Sequence, residues 1–457
     1  MGGVLEALAA LSQYIPVVEK PARRPSLPFR ILITAIVLIL YFVMTVIPLY
    51  GVKPNPGALG GAFVLAQIIL GMSFGTLATL GIGPIVTAGL VLEVLIGTGL
   101  IELDLTNPRD RAVYMGAQKT LSLIFAALEA AAYSFGCAFW GGSPFACPAP
   151  LWLRLLVILQ LVLATLIIIW FDELLQRGWG LGSALSLFIL AGVSKSIVNR
   201  MLSPARLGGE VLGVIPYILE TGNVLGAVVR PYPLADLVGL VATFVLIVVL
   251  VYLQLMRVEI PVTGPRLRGI RTRIPLNFIY VTNIPILLVA IIVADLGIVA
   301  NALSHIGGPV YEFFALLYHY INTPKGLLMV VSHPVEAVTS AIAWVVLSIF
   351  FGKLWVELAG LSPDKQAENL IKSGFEVPGL RRNKKILESL LARYIYPLTL
   401  LSSIIVGILA VVADFFGAYG TGSGLLLATG IAINFYQLLI YERTLEMYPM
   451  LKRLLGG

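Results

Sequence analysis

GIGPIVTAG, residues 81–89, follows an apolar stretch, ALGGAFVLAQIILGMSF at 58–74, that is too short to cross a bilayer. A transmembrane helix needs about 20 mostly apolar residues, and backbone facing lipid must have its hydrogen bonds satisfied internally. Gly81, Gly83 and Pro84 break that bonding in the middle of greasy sequence. The freed groups require protein or water, so the break borders a cavity and does not face acyl chains. The 58–74 piece then reads as a half-helix that enters from outside and stops within a funnel, and GIGP begins the true span.

Composition agrees with a membrane solvent. Of 457 residues, 58% are hydrophobic and 12% charged, which excludes an ordinary water-soluble globule. Hydropathy predicts ten spans, at about 29–49, 81–100, 113–136, 151–171, 181–199, 235–256, 276–297, 336–356, 395–413 and 424–441. Lys and Arg crowd the segment before the first span, the connections after the sixth and eighth, and the C-terminus. The connection after the first span holds only Lys53, and none lies between Tyr133 and Leu153. This asymmetry places both termini in the cytoplasm.

The break recurs. Thr282-Asn283-Ile284-Pro285 interrupts the seventh span five spans after GIGP, which suggests two five-helix halves repeated with inverted topology around a central path. The expected organisation is a cytoplasmic segment 1–27, an N-terminal half 28–200, an external connection 201–234, a C-terminal half 235–443 and a cytoplasmic tail 444–457. Basic cytoplasmic loops occupy 257–275 and 357–394 of the C-terminal half. Residues 1–27 lack a basic region ahead of an apolar core, so no secretory signal peptide is expected. Val4, Leu5, Leu8, Leu11 and Ile15 recur at helical spacing, which predicts a short amphipathic helix lying on the cytoplasmic surface and ending near Pro16. Cys137 and Cys147 share one outward connection, and an external disulfide and two buried thiols both fit.

Patterns associated with catalysis lack their context. Gly71-Met72-Ser73-Phe74-Gly75 matches GxSxG, but nothing supplies the strand that such an elbow requires. His305, His319 and His333 lie in one outward connection with no partner carboxylate fixed by sequence, and no metal-ligand spacing of His and Cys occurs. Gly420-Thr421-Gly422-Ser423-Gly424 faces outward and opens an apolar helix, which favours a turn over a phosphate loop. Glu93 and Glu129 fall inside spans, and a hydrated seam or interhelical hydrogen bond explains them better than a proton relay.

TLGIGPIVTAGLVLEVL, FDELLQRGWGLGSALSLFILAGV and EIPVTGPRLRGIRTRIPLNFIYVTNIPILL together resemble the SecY family, the central subunit of the protein-conducting channel, in its archaeal form. The resemblance extends over the whole chain. It implies an all-α polytopic membrane protein whose ten helices form a clamshell around a pore, opening sideways between spans 2 and 7. It implies a non-enzymatic role with no cofactor: unfolded polypeptides cross in the cell membrane and hydrophobic segments leave into lipid. By motif it implies a pore ring of Ile82, Val86, Leu181, Leu185, Ile284 and Leu426, all aliphatic, and the spacing of four places Ile82 with Val86, and Leu181 with Leu185, on one helix face. A narrow waist of such side chains excludes ions by dewetting.

The same resemblance makes 58–74 a plug, with Leu59, Phe63, Leu65 and Ile68 on it, and assigns Thr87, Gln118 and Asn283 to a polar cluster across the lateral gate. It implies as partners a SecE-like subunit, a beta-type (SecG-like) small subunit, signal sequences, nascent chains, membrane lipid and the ribosome, including its RNA. Docking falls to Arg266, Arg268, Arg271, Arg273, Arg381, Arg382, Lys384 and Lys385, a cluster denser than topology requires. Leucines at 181 and 185, Ser183 and Glu93 depart from residues common in the family. The competing reading is a secondary transporter on inverted repeats, which needs convergent polar groups at midplane where this chain offers aliphatics.

Overall fold

The computed structural model describes the chain apart from residues 1, 24, 53–72, 98–99, 102, 104–106, 141–146, 208, 264–270, 282–283, 304–307, 373–383 and 448–457. A helix lies on each of the ten predicted spans: α2 (Leu27–Met44), α3 (Gly83–Gly97), α4 (Pro108–Phe135), α5 (Leu151–Leu174), α6 (Ala184–Leu202), α8 (Leu237–Leu255), α9 (Ile284–Leu303), α12 (Pro334–Leu358), α14 (Lys384–Phe415) and α15 (Gly422–Met447). Among the described residues seven helices are long and apolar enough to cross a membrane; α3 and α9 carry shorter apolar runs. Local chemistry sets their starts. Asn107 accepts a hydrogen bond from the Arg109 amide ahead of Pro108, and Asp236 accepts one from the Gly239 amide.

The other α-helices among the described residues are α1 (Gly2–Leu11), α7 (Val214–Thr221), α10 (Gly308–Ile321), α11 (Leu327–Ser332) and α13 (Pro363–Lys372). Among the described residues there are also two antiparallel hairpins. One pairs β1 (Arg206–Leu207) with β2 (Glu210–Val211), and the other pairs β3 (Arg257–Thr263) with β4 (Arg271–Asn277). The described residues form two compact units, one of 1–196, 294–315 and 431–457, the other of 197–293 and 316–430.

In the first unit, Tyr41 of α2 stacks on Phe188 of α6 with ring centroids 3.9 Å apart. Leu49, Leu80, Ala126, Val157 and Leu161 form a buried cluster that joins α4 and α5 to the chain between α2 and α3. In the second unit, α12 and α14 meet through small residues. Ser348 donates to the Ser403 carbonyl at 2.9 Å, and Gly407 faces Val345 and Ser348. Close backbone approach of this kind holds helices together where lipid offers no hydrophobic drive.

Three expectations are corrected. The N-terminal helix does not lie free on the cytoplasmic surface: Leu5 is buried with Leu92 and Ala117, and Thr120 of α4 donates to the Leu8 carbonyl. Leu11, expected on its apolar face, is 54% exposed. The seventh span does not run from 276 through a mid-helix break. Residues up to Asn277 are the end of β4, and α9 starts at Ile284, because extended hairpin pairing claims the backbone first. Leu181 and Leu185 do not share a helix face, since Leu181 precedes α6 and Gly182 turns the chain at φ +64°. Cys137 and Cys147 form a disulfide, which resolves the open choice between bridge and free thiols.

Candidate functional site

Each proposed ring residue stands at or just before the start of a helix. Ile82 is fully buried immediately ahead of α3, and its carbonyl accepts the amides of Ile85 and Val86. Val86, in the first turn, is half-buried. Leu185 lies in the first turn of α6, Ile284 is the first residue of α9, and Leu426 sits near the start of α15, 1% exposed. Ile82, Val86, Leu181 and Leu185 belong to the first unit, and Ile284 and Leu426 to the second.

Polar atoms fix the second pair. The Leu181 amide donates to the Thr34 hydroxyl at 2.9 Å, and Thr34 donates in turn to the Arg30 carbonyl at 2.8 Å. Arg30 Nε donates to the Gly180 carbonyl at 2.9 Å while its Nη1 pairs with Glu442 at 2.8 Å, both side chains 8% exposed. Asp172, at the end of α5, accepts from the Ser183 hydroxyl at 2.7 Å, the Ala184 amide at 2.9 Å and the Leu185 amide at 3.4 Å. Ser183, a departure from the family pattern, is thus a partner of this carboxylate. Hydroxyl and amide donors on one carboxylate cap the helix start and hold Leu185 in place. Arg30, Thr34, Asp172 and Glu442 were missed from sequence. Their signal was present, as charged or polar residues at the margins of apolar spans.

Gln118 lies against Gly89, such that a Cβ there would stand 3.0 Å from the Gln118 amide nitrogen. This brings Gln118 of α4 onto α3 two residues beyond half-buried Thr87. Asn283 falls outside the described residues, as do plug residues Leu59, Phe63, Leu65 and Ile68. The flanks of that plug are described. Chain leaving α2 pairs with chain entering α3: Pro48 bridges Thr76, the Leu49 amide donates to the Gly75 carbonyl at 2.9 Å, and the Leu77 amide to the Ile47 carbonyl at 3.1 Å. Ser73 Oγ donates to the Thr45 carbonyl at 3.0 Å, so the serine of the GxSxG match braces this neck.

Of the basic residues, Arg266, Arg268, Arg381 and Arg382 lie outside the described residues. Arg271 and Arg273 are on β4, paired with Thr263 and Pro261 of β3. Lys384 opens α14 and binds Glu368 of α13 at 3.2 Å, and Lys372 binds the same carboxylate at 3.0 Å. Hydrogen bonds from Lys372 and Lys384 hold the Glu368 carboxyl below its usual range. Lys385 is exposed beside them. His319 has a partner that sequence did not fix, Glu336 at 3.2 Å. Among the described residues no group of His, Cys, Asp and Glu is arranged to hold a metal.

The SecY family model matches residues 76–436, and the model of the plug domain of Sec61p matches 39–75. A protein translocase subunit SecY from Aeropyrum pernix is 48% identical over 457 residues, covering 99% of each chain. One from Methanocaldococcus jannaschii is 35% identical, covering 99% of this chain and 100% of its own. Among solved structures, one titled "The structure of a protein conducting channel" aligns with a TM-score of 0.76 at 35% identity, covering 96% of this chain and 98% of its own. Sec61 in a canine ribosome-channel complex from the endoplasmic reticulum aligns at 0.74 with 34% identity, over the same 96% and 98%.

Proposed function

This chain belongs to the SecY family and is a multi-pass subunit of a protein-conducting channel, and from that premise we propose how its residues do the work. The observation that carries the reading is a plug-domain match ending at residue 75 and a channel match starting at residue 76, joined at the paired neck. The secondary-transporter reading has no support in these comparisons.

Ile82, Val86, Leu181, Leu185, Ile284 and Leu426 line the pore waist. Branched and γ-branched side chains there repel water, which stops ions without a charged filter, and they fold back around a passing chain. No directional contact is made, so sequence hardly matters to passage. Between spans 2 and 7 a segment of about 20 apolar residues gains by leaving for lipid, while a polar one continues through. The transfer is a partitioning with no bond made or broken, and we assign the chain no enzymatic step. Thr87, Gln118 and Asn283 set how readily the gate parts, each hydrogen bond contributing about 0.5–1.5 kcal/mol.

The Sec61 relative in a ribosome-channel complex supports a ribosome partner, and we assign the docking to Arg266, Arg268, Arg271, Arg273, Arg381, Arg382, Lys384 and Lys385 through ribosomal RNA phosphate. A SecE-like and a beta-type subunit accompany the chain in the cell membrane, with its termini in the cytoplasm. The test is Asn283→Leu. The hydrophobicity a signal sequence needs for entry shifts if the gate reading holds; an unchanged threshold removes the residue from the gate.

A further inference from the structure

The turn after α4 reaches the neck of the plug segment from both sides. Trp140 Nε1 donates to the Gly51 carbonyl at 2.8 Å, on the chain entering that segment. Phe139 stacks on Phe74, on the chain leaving it, with centroids 5.0 Å apart and planes inclined by 21°. Tyr133 adds an edge contact to Phe74 at 6.3 Å. Phe139 is 6% exposed and packs in one cluster with Leu49, Val52 and Leu80. Leu80 stands two residues before Ile82. The turn itself is closed by the Cys137–Cys147 disulfide, and Arg154 donates to the Ala149 carbonyl at 3.0 Å beside it.

We propose that this disulfide-closed turn is an external clasp, in which Phe139 and Trp140 hold the plug neck shut and so position Ile82. Two different chemistries grip the two feet, an indole donor on one and an aromatic stack on the other. Neither foot can leave without losing its own contact. A crosslink ahead of Phe139 removes the alternative turn conformations that would pull the grip away. The clasp rests on the channel reading only for its consequence, the seal at Ile82; the grip on the neck stands independently of it.

The experiment is hydrogen exchange on the full chain in lipid nanodiscs, read at the Leu49 and Leu77 amides that close the neck. Phe139→Leu, Trp140→Phe and the double variant Cys137→Ser/Cys147→Ser each speed exchange there roughly threefold to tenfold. The Leu181 and Leu185 amides, held by Thr34 and Asp172, keep their wild-type rates, and Phe139→Tyr, which preserves the stack, keeps the neck slow. Wild-type neck rates in all three variants overturn the clasp, as does equal acceleration at Leu181 and Leu185, which marks general loosening. A wild-type channel that conducts ions freely at rest instead sinks the sealing role of the ring and leaves the exchange result standing.

Discussion

Asp172 lies in the last turn of the largely apolar α5, and its carboxylate accepts four hydrogen bonds, three from the start of α6 and one from Gln176 at 2.7 Å. Its removal strips a helix of its cap and leaves the Ser183 hydroxyl and two amides to find water. Asp172→Ala therefore costs about 1–3 kcal/mol, measured by thermal unfolding in detergent, and raises resting ion leak through displaced Leu185. Asp172→Asn keeps an acceptor and recovers most of that loss. Arg30 and Glu442 carry a larger consequence because both are shielded from water. Glu442→Gln leaves the guanidinium without its counter-charge and costs about 3–5 kcal/mol. Sequence pointed to the aliphatic members of this site through motifs. The polar supports stayed hidden, because an Asp near the end of a span is equally at home in water, and only folding brings Thr34 to Leu181.

At the level of elements, the α13–α14 corner ties up cations that the proposed docking surface would use. Glu368 occupies two of its cations, Lys372 and Lys384, and its carboxyl is held below the usual range. The pairing is complete above the ordinary carboxylate value and is lost only as pH falls through the lowered folded value, so it persists at neutral pH. Glu368→Gln releases both lysines and tightens ribosome binding roughly twofold to fivefold at low salt, with a steeper dependence of affinity on salt. Unchanged affinity and slope separate this corner from docking. The spanning helices were legible because lipid demands long apolar runs. The β3–β4 hairpin was not, since its Arg-rich strands read as a charged connection and its pairing holds residues 276 and 277 that hydropathy gave to a span. The disulfide stayed open for a related reason: spacing does not fix the distance between Cβ atoms.

Across the whole molecule, full-length similarity to channel subunits and an unbroken order of plug then channel make a conduit, and on the proposed reading the ring residues make it selective by wetting rather than charge. A chain that seals with leucines at 181 and 185 predicts that Leu181→Asn with Leu185→Asn raises resting conductance, while Leu181→Ile with Leu185→Ile stays tight. The break at GIGP came from sequence alone, and α3 starts there at Gly83; the second proved to be the start of α9, beyond the end of β4. How the clasp grips the neck did not, because Phe139 and Trp140 are ordinary aromatics until the fold sets them against Phe74 and Gly51. The most direct measurement stalls a translocating polypeptide carrying one photo-crosslinker and maps its adducts on the channel. Adducts at Ile82, Val86, Leu181, Leu185, Ile284 and Leu426, with none at Leu92 or Val193 outside the ring, are the predicted result. Adducts that avoid these six positions while the polypeptide is demonstrably in transit contradict the account.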